Sequence, residues 1–411
     1  MGGQGQDCFT HPSSFLRSGN GHPKPRSEHV IVLELSFWLA TTLLLYAQGG
    51  YPCLLLAWDK VARSHSKWSP FAPGQEPSVT LVVAAHDEES VIAGKVADAL
   101  GLAWPRERLE VIVASDGSTD ATVQRARAAG ADLVLDLPRG GKIRAQDAAV
   151  ERARGRIVAF SDANARWEPD ALCELVAPFA EARVGYVCGQ VRFVGDAARP
   201  GTNQEGLYWR YEMALRALES RLASVTGGNG AIYATRREAY IVVDPIMGHD
   251  LSFPFNLVKR GWRAVYAPRA RATEKMVPSI EGEFSRKRRM MRHTWPIVLR
   301  GGMLSLRGYG LAYALMIVSH RLLRYAAPFL HLVALVTSAA LAILGGGALY
   351  AAALIAQLGL LGAAGAARPL PVRPLLVARY YVLTTASVAM GLLDWLRHGT
   401  EAGWEAPEGT R

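Results

Sequence analysis

The chain has 411 residues, half of them hydrophobic, and a formal net charge of +10 at pH 7. At about 150 residues per domain this length gives two or three parts rather than one. The positive balance fits an anionic membrane surface or anionic ligands; no basic stripe interleaved with aromatics is present, which sets nucleic acid aside as a partner, and four cysteines without paired spacing (Cys8, Cys53, Cys173, Cys188) fit a reducing compartment and exclude a cysteine zinc site.

Residues 1–28 are rich in Gly, Ser, Pro and His and are expected to be a disordered tail. From Ile31 to Trp58 the one charged residue is Glu34. A span needs roughly 20 apolar residues to cross ~30 Å of hydrocarbon, so a transmembrane helix is expected over 29–58. The polar tail before it and the lack of a small-residue cleavage site make it an anchor rather than a signal peptide. A linker follows over 59–76.

The next region alternates short apolar runs with helical spacing. "SVTLVVAA" (78–85), "LEVIVAS" (109–115), "ADLVLDL" (131–137) and "RIVAFSD" (156–162) read as strands. Helical patterns separate them at 88–102, 119–129 and 143–153. Strand, helix, strand at this spacing predicts an α/β domain with a parallel sheet and helices on its faces. In open sheets of this kind ligands bind at the carboxyl ends of the strands.

Those ends carry "AHDEES" with Asp87 and Glu88, "SDGSTD" with Asp116, "PRGGKIRAQD" with Gly140, Gly141 and Lys142, and "SDAN" with Asp162 and Asn164. Four such ends in succession predict a site for a phosphorylated ligand that brings a divalent metal. Glycines let backbone approach a phosphate, and Lys142 can neutralise it as a point charge. Asp162 and Asn164 offer the hard oxygens that Mg²⁺ or Mn²⁺ accepts. Each feature has a plainer reading. Asp87 and Glu88 suit a helix start, Asp116 and Asp162 suit turns, and Asn229 with Gly230 is also a turn pair.

Three further membrane helices are expected within 326–396: Ala326–Leu344, Gly345–Ala367 and Leu375–Leu393, the last interrupted by Arg379. A buried core helix is the alternative for each. Lys60, Arg63 and Lys67 follow the first span, Arg321 and Arg324 precede the second, and Arg368 and Arg373 lie between the third and fourth. Basic residues mark the cytoplasmic side, so the region from about 59 to 325 is expected to face the cytoplasm. The tail 397–411, with Glu401, Glu405 and Glu408, is expected on the far side.

With these stretches in hand, the chain resembles the membrane-bound glycosyltransferases of family 2, the superfamily of cellulose, hyaluronan and poly-N-acetylglucosamine synthases, over roughly residues 76 to 410. "AAHDEES" is similar to the family's aromatic-Asn-Glu-Glu motif, with His86 and Asp87 in place of the aromatic and the Asn. "SDGSTD" resembles Asp-Asp-Gly-Ser-Thr-Asp, and "SDAN" resembles Asp-x-Asp, with Asn164 as its second member. "YWRYEMALRALESRLASVTGGNGAIYATRREAY" (208–240) resembles the acceptor-side segment that contains Asn229 and Gly230. "GHDLSFPFNLVKRGWRAVYAP" (248–268) resembles the Glu-Asp-x-x-Leu region, with His249 for the Glu. "EFSRKRRMMRHTW" (283–295) lies where the family carries Gln-x-x-Arg-Trp; Arg289 and Arg292 keep the three-residue spacing, and no Trp follows Arg292.

The resemblance implies a GT-A fold, a Rossmann-like mixed sheet, over 77–282, interfacial amphipathic helices over 283–325, and an enzyme of class EC 2.4 in the plasma (inner) membrane with its catalytic domain cytoplasmic. It implies inverting transfer from a nucleotide-diphosphate sugar, a UDP-sugar by analogy, to a lipid-linked or polysaccharide acceptor, with an export subunit as a partner for a polymer-making member. Asp87, Glu88, Asp116, Lys142 and Asp162 would bind the donor, Asp162 and Asn164 the metal. Asn229, Gly230, Arg289 and Arg292 would meet acceptor or diphosphate, and Asp250 would be the general base. A helix N-cap is the plainer reading of Asp250, and a solvated or lipid-facing helix surface that of the basic cluster. Two other functions stay open at this point: a non-catalytic membrane scaffold or regulator with a degenerate domain, and a nucleotidyltransferase.

Overall fold

The computed structural model describes residues 2, 28–62, 68–194, 202–275 and 280–403. The tail before Glu28, with Cys8, and the residues Arg63, Lys67, Glu405 and Glu408 lie outside these. The first described helix is α1 (Glu28–Leu45), which a π-helical turn at Tyr46–Gly50 joins to α2 (Tyr51–Ala62) as one continuous rod.

The domain between the first long helix and Ile280 is built on one eight-stranded sheet. Strands β1 (Val79–Ala85) and β2 (Leu109–Asp116) are buried at every residue, as strands covered on both faces must be, which is why they read as unbroken apolar runs. Helix α3 (Ile92–Leu100) crosses from β1 to β2, α4 (Thr122–Ala128) leads to β3 (Leu133–Leu137), and α5 (Lys142–Arg152) leads to β4 (Ile157–Asp162). The four strands pair in parallel in the order β3-β2-β1-β4.

The rest of the sheet turns antiparallel and then mixed. It comprises β5 (Arg166–Trp167), β6 (Val184–Val194), β7 (Tyr233–Arg236) and β8 (Arg263–Lys275), with α6 (Ala171–Val176), α7 (Thr202–Leu222) and α8 (His249–Lys259) between them. β7 lies antiparallel beside β4, β6 antiparallel beside β7, and β8 parallel beside β6. Alternation along β1 sorts the helices between the two faces. Val79, Leu81 and Val83 pack with residues of α3, α4 and α6, and Val82 packs with α5, α7 and α8.

At the N-terminal edge of the sheet Thr80, Glu110, Arg154 and Gly155 bond to one another. Thr80 Oγ1 donates to Glu110 (2.6 Å), Arg154 binds the same carboxylate, and the Gly155 amide donates to Thr80 Oγ1. Gly155 has backbone on every side: a Cβ there would stand 2.3 Å from the Thr80 nitrogen and 2.7 Å from the Ile157 oxygen.

After β8 comes α9 (Ile280–Leu299), then α10 (Leu311–Met316). A second π-helical turn, Ile317–Leu322, carries α10 into α11 (Leu323–Ile343); α12 (Ala348–Ala366) and α13 (Arg373–His398) follow. Among the described residues four helices are long and apolar enough to cross a membrane: 28–62, 311–343, 348–366 and 373–398. Their outer surfaces invert the pattern of the sheet domain, with Leu35, Leu39, Val336, Ile343, Ile355 and Leu361 exposed. Such a surface is stable only against lipid or another apolar partner.

The second of these helices begins well before the expected Ala326. It runs through His320, Arg321 and Arg324, because these side chains are buried against α7 rather than standing free as flanks. His320 lies between Glu219 (Nδ1 to Oε1, 2.6 Å) and Glu212 (Nε2 to Oε2, 3.3 Å); Arg324 pairs with Glu212, and Arg321 Nε donates to Thr226 Oγ1 (3.0 Å). Tyr51 of α2 donates to Glu219 as well (2.7 Å).

Helix α13 lies along α9. Arg288 makes a two-pronged bond to Asp394 (2.6 and 2.7 Å), Trp295 Nε1 donates to the Val388 carbonyl (2.9 Å), and Gly391 lets the backbones close. The far-side placement expected for the tail differs from what this packing gives. Residues 399–403 return to the sheet domain, where the Ala402 carbonyl meets Gly141, because α9 clamps α13 with its end toward that domain.

Replacing Gly155 by alanine should push β1 and β4 apart and cost about 1–3 kcal/mol, the usual penalty of overpacking. The check is the thermal midpoint of the detergent-solubilised protein. An unchanged midpoint would mean that the backbone at Thr80 can yield.

Candidate functional site

The loops at the carboxyl ends of β1 and β2 are fastened to each other by acids on backbone amides. Asp87, in a left-handed conformation (φ 50°), accepts the Thr119 amide on Oδ1 (2.7 Å) and donates its own amide to Ser118 Oγ. The Glu88 amide donates to Thr122 Oγ1 (2.8 Å). Glu89 and Asp120 exchange contacts through the Ala121 and Glu89 amides. The left-handed region is tolerated by Asp because its short side chain bonds locally.

Asp116, buried at the tip of β2, performs the same task for the next loop. Its Oδ1 accepts the amides of Gly140 (2.6 Å) and Gly141 (2.9 Å), and Arg139 stands 3.3 Å from Oδ2. Gly117 must be glycine, since a Cβ there would fall 2.8 Å from the Arg139 nitrogen. Gly141 (φ 96°) then starts α5, and Lys142, its first residue, pairs directly with Asp162 at the tip of β4. Gly230 packs over this pair; a Cβ there would lie 3.3 Å from Lys142 Nζ.

Lys142 and Asp162 open into a cavity of about 1110 Å³. Its walls come from the sheet domain, from α9 and from the apolar helices: Asp250 and Glu274 on one side, Arg286 and Lys287 on another, and Arg321, Arg324, Tyr325, Val377 and Tyr380 beyond. Asn229 and Gly230 also line it. Asp87, Glu88, Asp116, Asn164, Arg289 and Arg292 do not.

Asp250 lies in the first turn of α8. The N-cap is Gly248, and no side chain caps the helix. The Asp250 carbonyl accepts the Gly228 amide (2.6 Å). Its half-buried carboxylate has no hydrogen-bond or ion-pair partner among the described residues. The neighbouring His249 is buried in an aromatic box of Phe160, Tyr233, Tyr240 and Phe253, with Nδ1 2.9 Å from Tyr233 Oη. Burial, and then the charge of Lys142, lower its pKa to about 3, so the ring beside Asp250 is neutral. Asn229 is a structural turn residue: Nδ2 donates to the Gly189 carbonyl (2.7 Å) and Oδ1 accepts the Ile232 amide (2.9 Å).

On α9 the cavity-facing cations are Arg286 and Lys287, three and five residues before the pair the sequence singled out. Arg286 is held by Glu283 (2.7 and 2.8 Å), and Lys287 by Tyr380 Oη (2.6 Å) with its charge over the Tyr208 and Tyr380 rings. Arg289 is exposed. Arg292 is committed to the His398 and Gly399 carbonyls at the end of α13.

The sequence missed Glu274. It stands near the end of β8, at the wall between the large cavity and a second one of about 380 Å³ that Asn164, Lys95 and Asp98 line. Asp162 faces the first cavity and Asn164 the second, so the structure separates the pair that was expected to act together. Burial, and then the negative charge of Asp162, push the Glu274 carboxyl up to about 7. Burial likewise lowers buried Lys95, which donates to the Ala165 carbonyl (2.7 Å), to about 7. Among the described residues no cluster of three or more His, Cys, Asp or Glu could hold a metal ion. Asp162 and Glu274, carboxylates that both line the large cavity, still suit a hard divalent cation that keeps water or phosphate oxygens as its other ligands.

Residues 80–242 match the family model for glycosyl transferase family 2. A beta-monoglucosyldiacylglycerol synthase from Synechocystis is 29% identical over 245 residues, 54% of this chain and 48% of that protein. The chain thus spans about half the length of this curated relative. A putative cellulose synthase from Komagataeibacter xylinus is 34% identical over 113 residues, 25% of this chain and 7% of that protein. Among solved structures, a mannosyltransferase from Pyrobaculum calidifontis in complex with GDP-Man and Mn²⁺ is 24% identical, covers 89% of this chain and 99% of its own, and has a TM-score of 0.66. The match to the glycosyl transferase family 2 model lies within the sheet domain, and that domain has the GT-A fold.

The raised Glu274 pKa has a sign that can be tested. Between its unfolded value near 4.5 and about 7 the folded state holds the proton more tightly, so stability falls as pH rises through that window. Glu274→Gln removes this burden. Its thermal midpoint should match wild type near pH 4.5 and exceed it at pH 8; a constant difference across the range would mean that Glu274 is not perturbed.

Proposed function

We propose that this glycosyltransferase domain moves a sugar from a nucleotide-diphosphate sugar to a hydroxyl of a lipid acceptor, with inversion at the anomeric carbon. The observation that carries the reading is the single cavity that joins Lys142 and Asp162 at the strand ends to Tyr325, Val377 and Val388 on the apolar helices. An acceptor entering from the bilayer could bring its headgroup to the sheet without leaving the apolar wall. The name of the Synechocystis relative, which contains diacylglycerol, supports a lipid acceptor, and the GDP-Man and Mn²⁺ of the structural neighbour support a nucleotide sugar and a divalent metal.

Asp250 is the general base. It faces the cavity, is bonded to nothing that would compete for a proton, and sits beside a neutral imidazole that adds no charge. It takes the acceptor hydroxyl proton as that oxygen bonds to the anomeric carbon. The bond from that carbon to the diphosphate oxygen breaks, and the nucleotide diphosphate leaves with the electron pair. Lys142 meets the charge that develops on the leaving oxygens, a preorganised cation in a partly enclosed site. Arg286 and Lys287, rather than Arg289 and Arg292, supply the further cations at the cavity. Asp162 and Glu274 would hold Mg²⁺ or Mn²⁺, which when bound neutralises diphosphate charge. Asp116 shapes the donor loop through the Gly140 and Gly141 amides, and Asp87 and Glu88 hold the adjoining loop.

The basic residues Lys60, Arg368 and Arg373 near the helix ends support a sheet domain on the cytoplasmic face of the inner membrane. Helix α13, clamped on α9, then lies at that face with the loop that contains Arg368.

Two substitutions separate donor binding from chemistry. Asp162→Ala should abolish metal-dependent binding of UDP- or GDP-sugars, measured by calorimetry with Mg²⁺, Mn²⁺ or EDTA. Asp250→Asn should bind donor as wild type does and lower turnover by a factor of about 10²–10⁴. Full turnover in Asp250→Asn would remove Asp250 from the mechanism. Absence of binding to any nucleotide sugar by the wild type would favour a scaffold.

A further inference from the structure

The donor end of the site has a wall that the sheet domain does not supply. The β3–α5 loop, residues 138–142, carries both the amides that bind Asp116 and the lysine that meets Asp162. Gly141 in this loop has φ 96°, and a Cβ there would lie 2.1 Å from the Ala402 carbonyl oxygen and 3.1 Å from the Ala402 Cβ. The chain following the last helix therefore rests directly on the donor loop.

That segment is aimed and anchored. Gly399, in a left-handed conformation (φ 63°), ends α13 and donates its amide to the Trp395 carbonyl (2.8 Å). Arg292 of α9 grips the turn, with Nε 2.6 Å from the Gly399 oxygen and Nη2 3.3 Å from the His398 oxygen, and Thr400 Oγ1 stands 3.5 Å from the Arg292 carbonyl. A guanidinium bonded to two successive carbonyls fixes direction as well as position.

We propose that residues 399–403 form a strap that positions the β3–α5 loop for the nucleotide-diphosphate donor, and that Arg292 is the positioning residue that holds the strap. Arg292 touches neither cavity nor substrate; it acts through the backbone of the strap on Gly141, and through Gly141 on Lys142 and Asp116. The donor site is then complete only when α13 is docked on α9. This inference rests on the donor reading above.

The test is nucleotide-diphosphate binding and donor kinetics with the full membrane protein, using UDP and GDP with Mn²⁺. Two variants are compared: Arg292→Met, and a chain ended after His398, which leaves α13 and its Asp394 and Val388 contacts to α9 intact. Both should weaken nucleotide binding and raise the donor KM by about tenfold, the equivalent of roughly 1.4 kcal/mol for the lost carbonyl bonds. The acceptor KM and kcat should stay near wild type, and Arg292→Lys, a point charge that cannot bond both carbonyls, should recover only part of the affinity. Unchanged or tighter nucleotide binding in both variants overturns the strap, as does an equal loss in donor and acceptor KM. If wild type binds neither nucleotide, the donor reading itself fails and the inference falls with it.

Discussion

Glu219 joins three parts of the chain that have no other reason to meet. Its carboxylate accepts from Tyr51 on the first long helix, from Thr226 in the turn after α7 and from His320 on the second long helix. Removing one partner from a buried charge network costs about 3–5 kcal/mol, because the other charge stays behind in a medium that solvates it poorly. The cluster therefore fixes the sheet domain relative to the apolar helices. Arg321, Arg324 and Tyr325, which line the large cavity, follow His320 on the same helix, and His320 is held between two glutamates. The same constraint puts charged residues inside an apolar helix, where intramembrane ionisable groups occur only when paired or facing a cavity.

The carboxylates of the site divide by what they face. Asp87, Glu89, Asp116 and Asp120 face backbone amides, and each builds a loop. Their number and spacing at the strand ends come from the need to hold three adjacent loops in register, since such loops have no ladder of their own and their amides must bond somewhere. Asp250 faces the cavity and no donor. Asp162 and Glu274 face each other's field, moderated by Lys142. A strand end rich in acids is thus as much a device for loop construction as for ligand binding, and partner lists separate the two where residue type does not.

Much of the first half of the sheet was legible in the sequence because β1, β2 and β4 are covered on both faces and the crossovers are regular helices. The second half was not. β7 has four residues, β5 has two, and β6 shifts register twice against β8, so none leaves a clean period. Glu274 was invisible for the same reason: only the parallel pairing of β6 with β8 carries it to Asp162. On α9 the basic residues were legible as a group, but one residue turns a helix by about 100°. Arg286, Lys287, Met290 and Met291 share the cavity face, and Arg289 and Arg292 point elsewhere. The end of α13 was misplaced because charge counts weigh little where a clamp such as Arg288 on Asp394 decides.

The two π-helical turns stand opposite each other. Tyr46, in the first, is 2.9 Å from Ser319, in the second. A π turn holds one residue more than the α-helical turn it replaces, so it resets the phase of everything beyond it. In the first long helix the reset brings Gln48 into the cavity wall and Tyr51 onto Glu219; in the second it brings His320 and Arg321 inward. Losing one residue from either turn would rotate the outer part of that helix by about 100° relative to its inner part. The exposed leucines and the polar cluster would then no longer share one alignment. The lengths of these two helices are therefore tied to each other residue by residue, although more than 250 positions separate them in the chain.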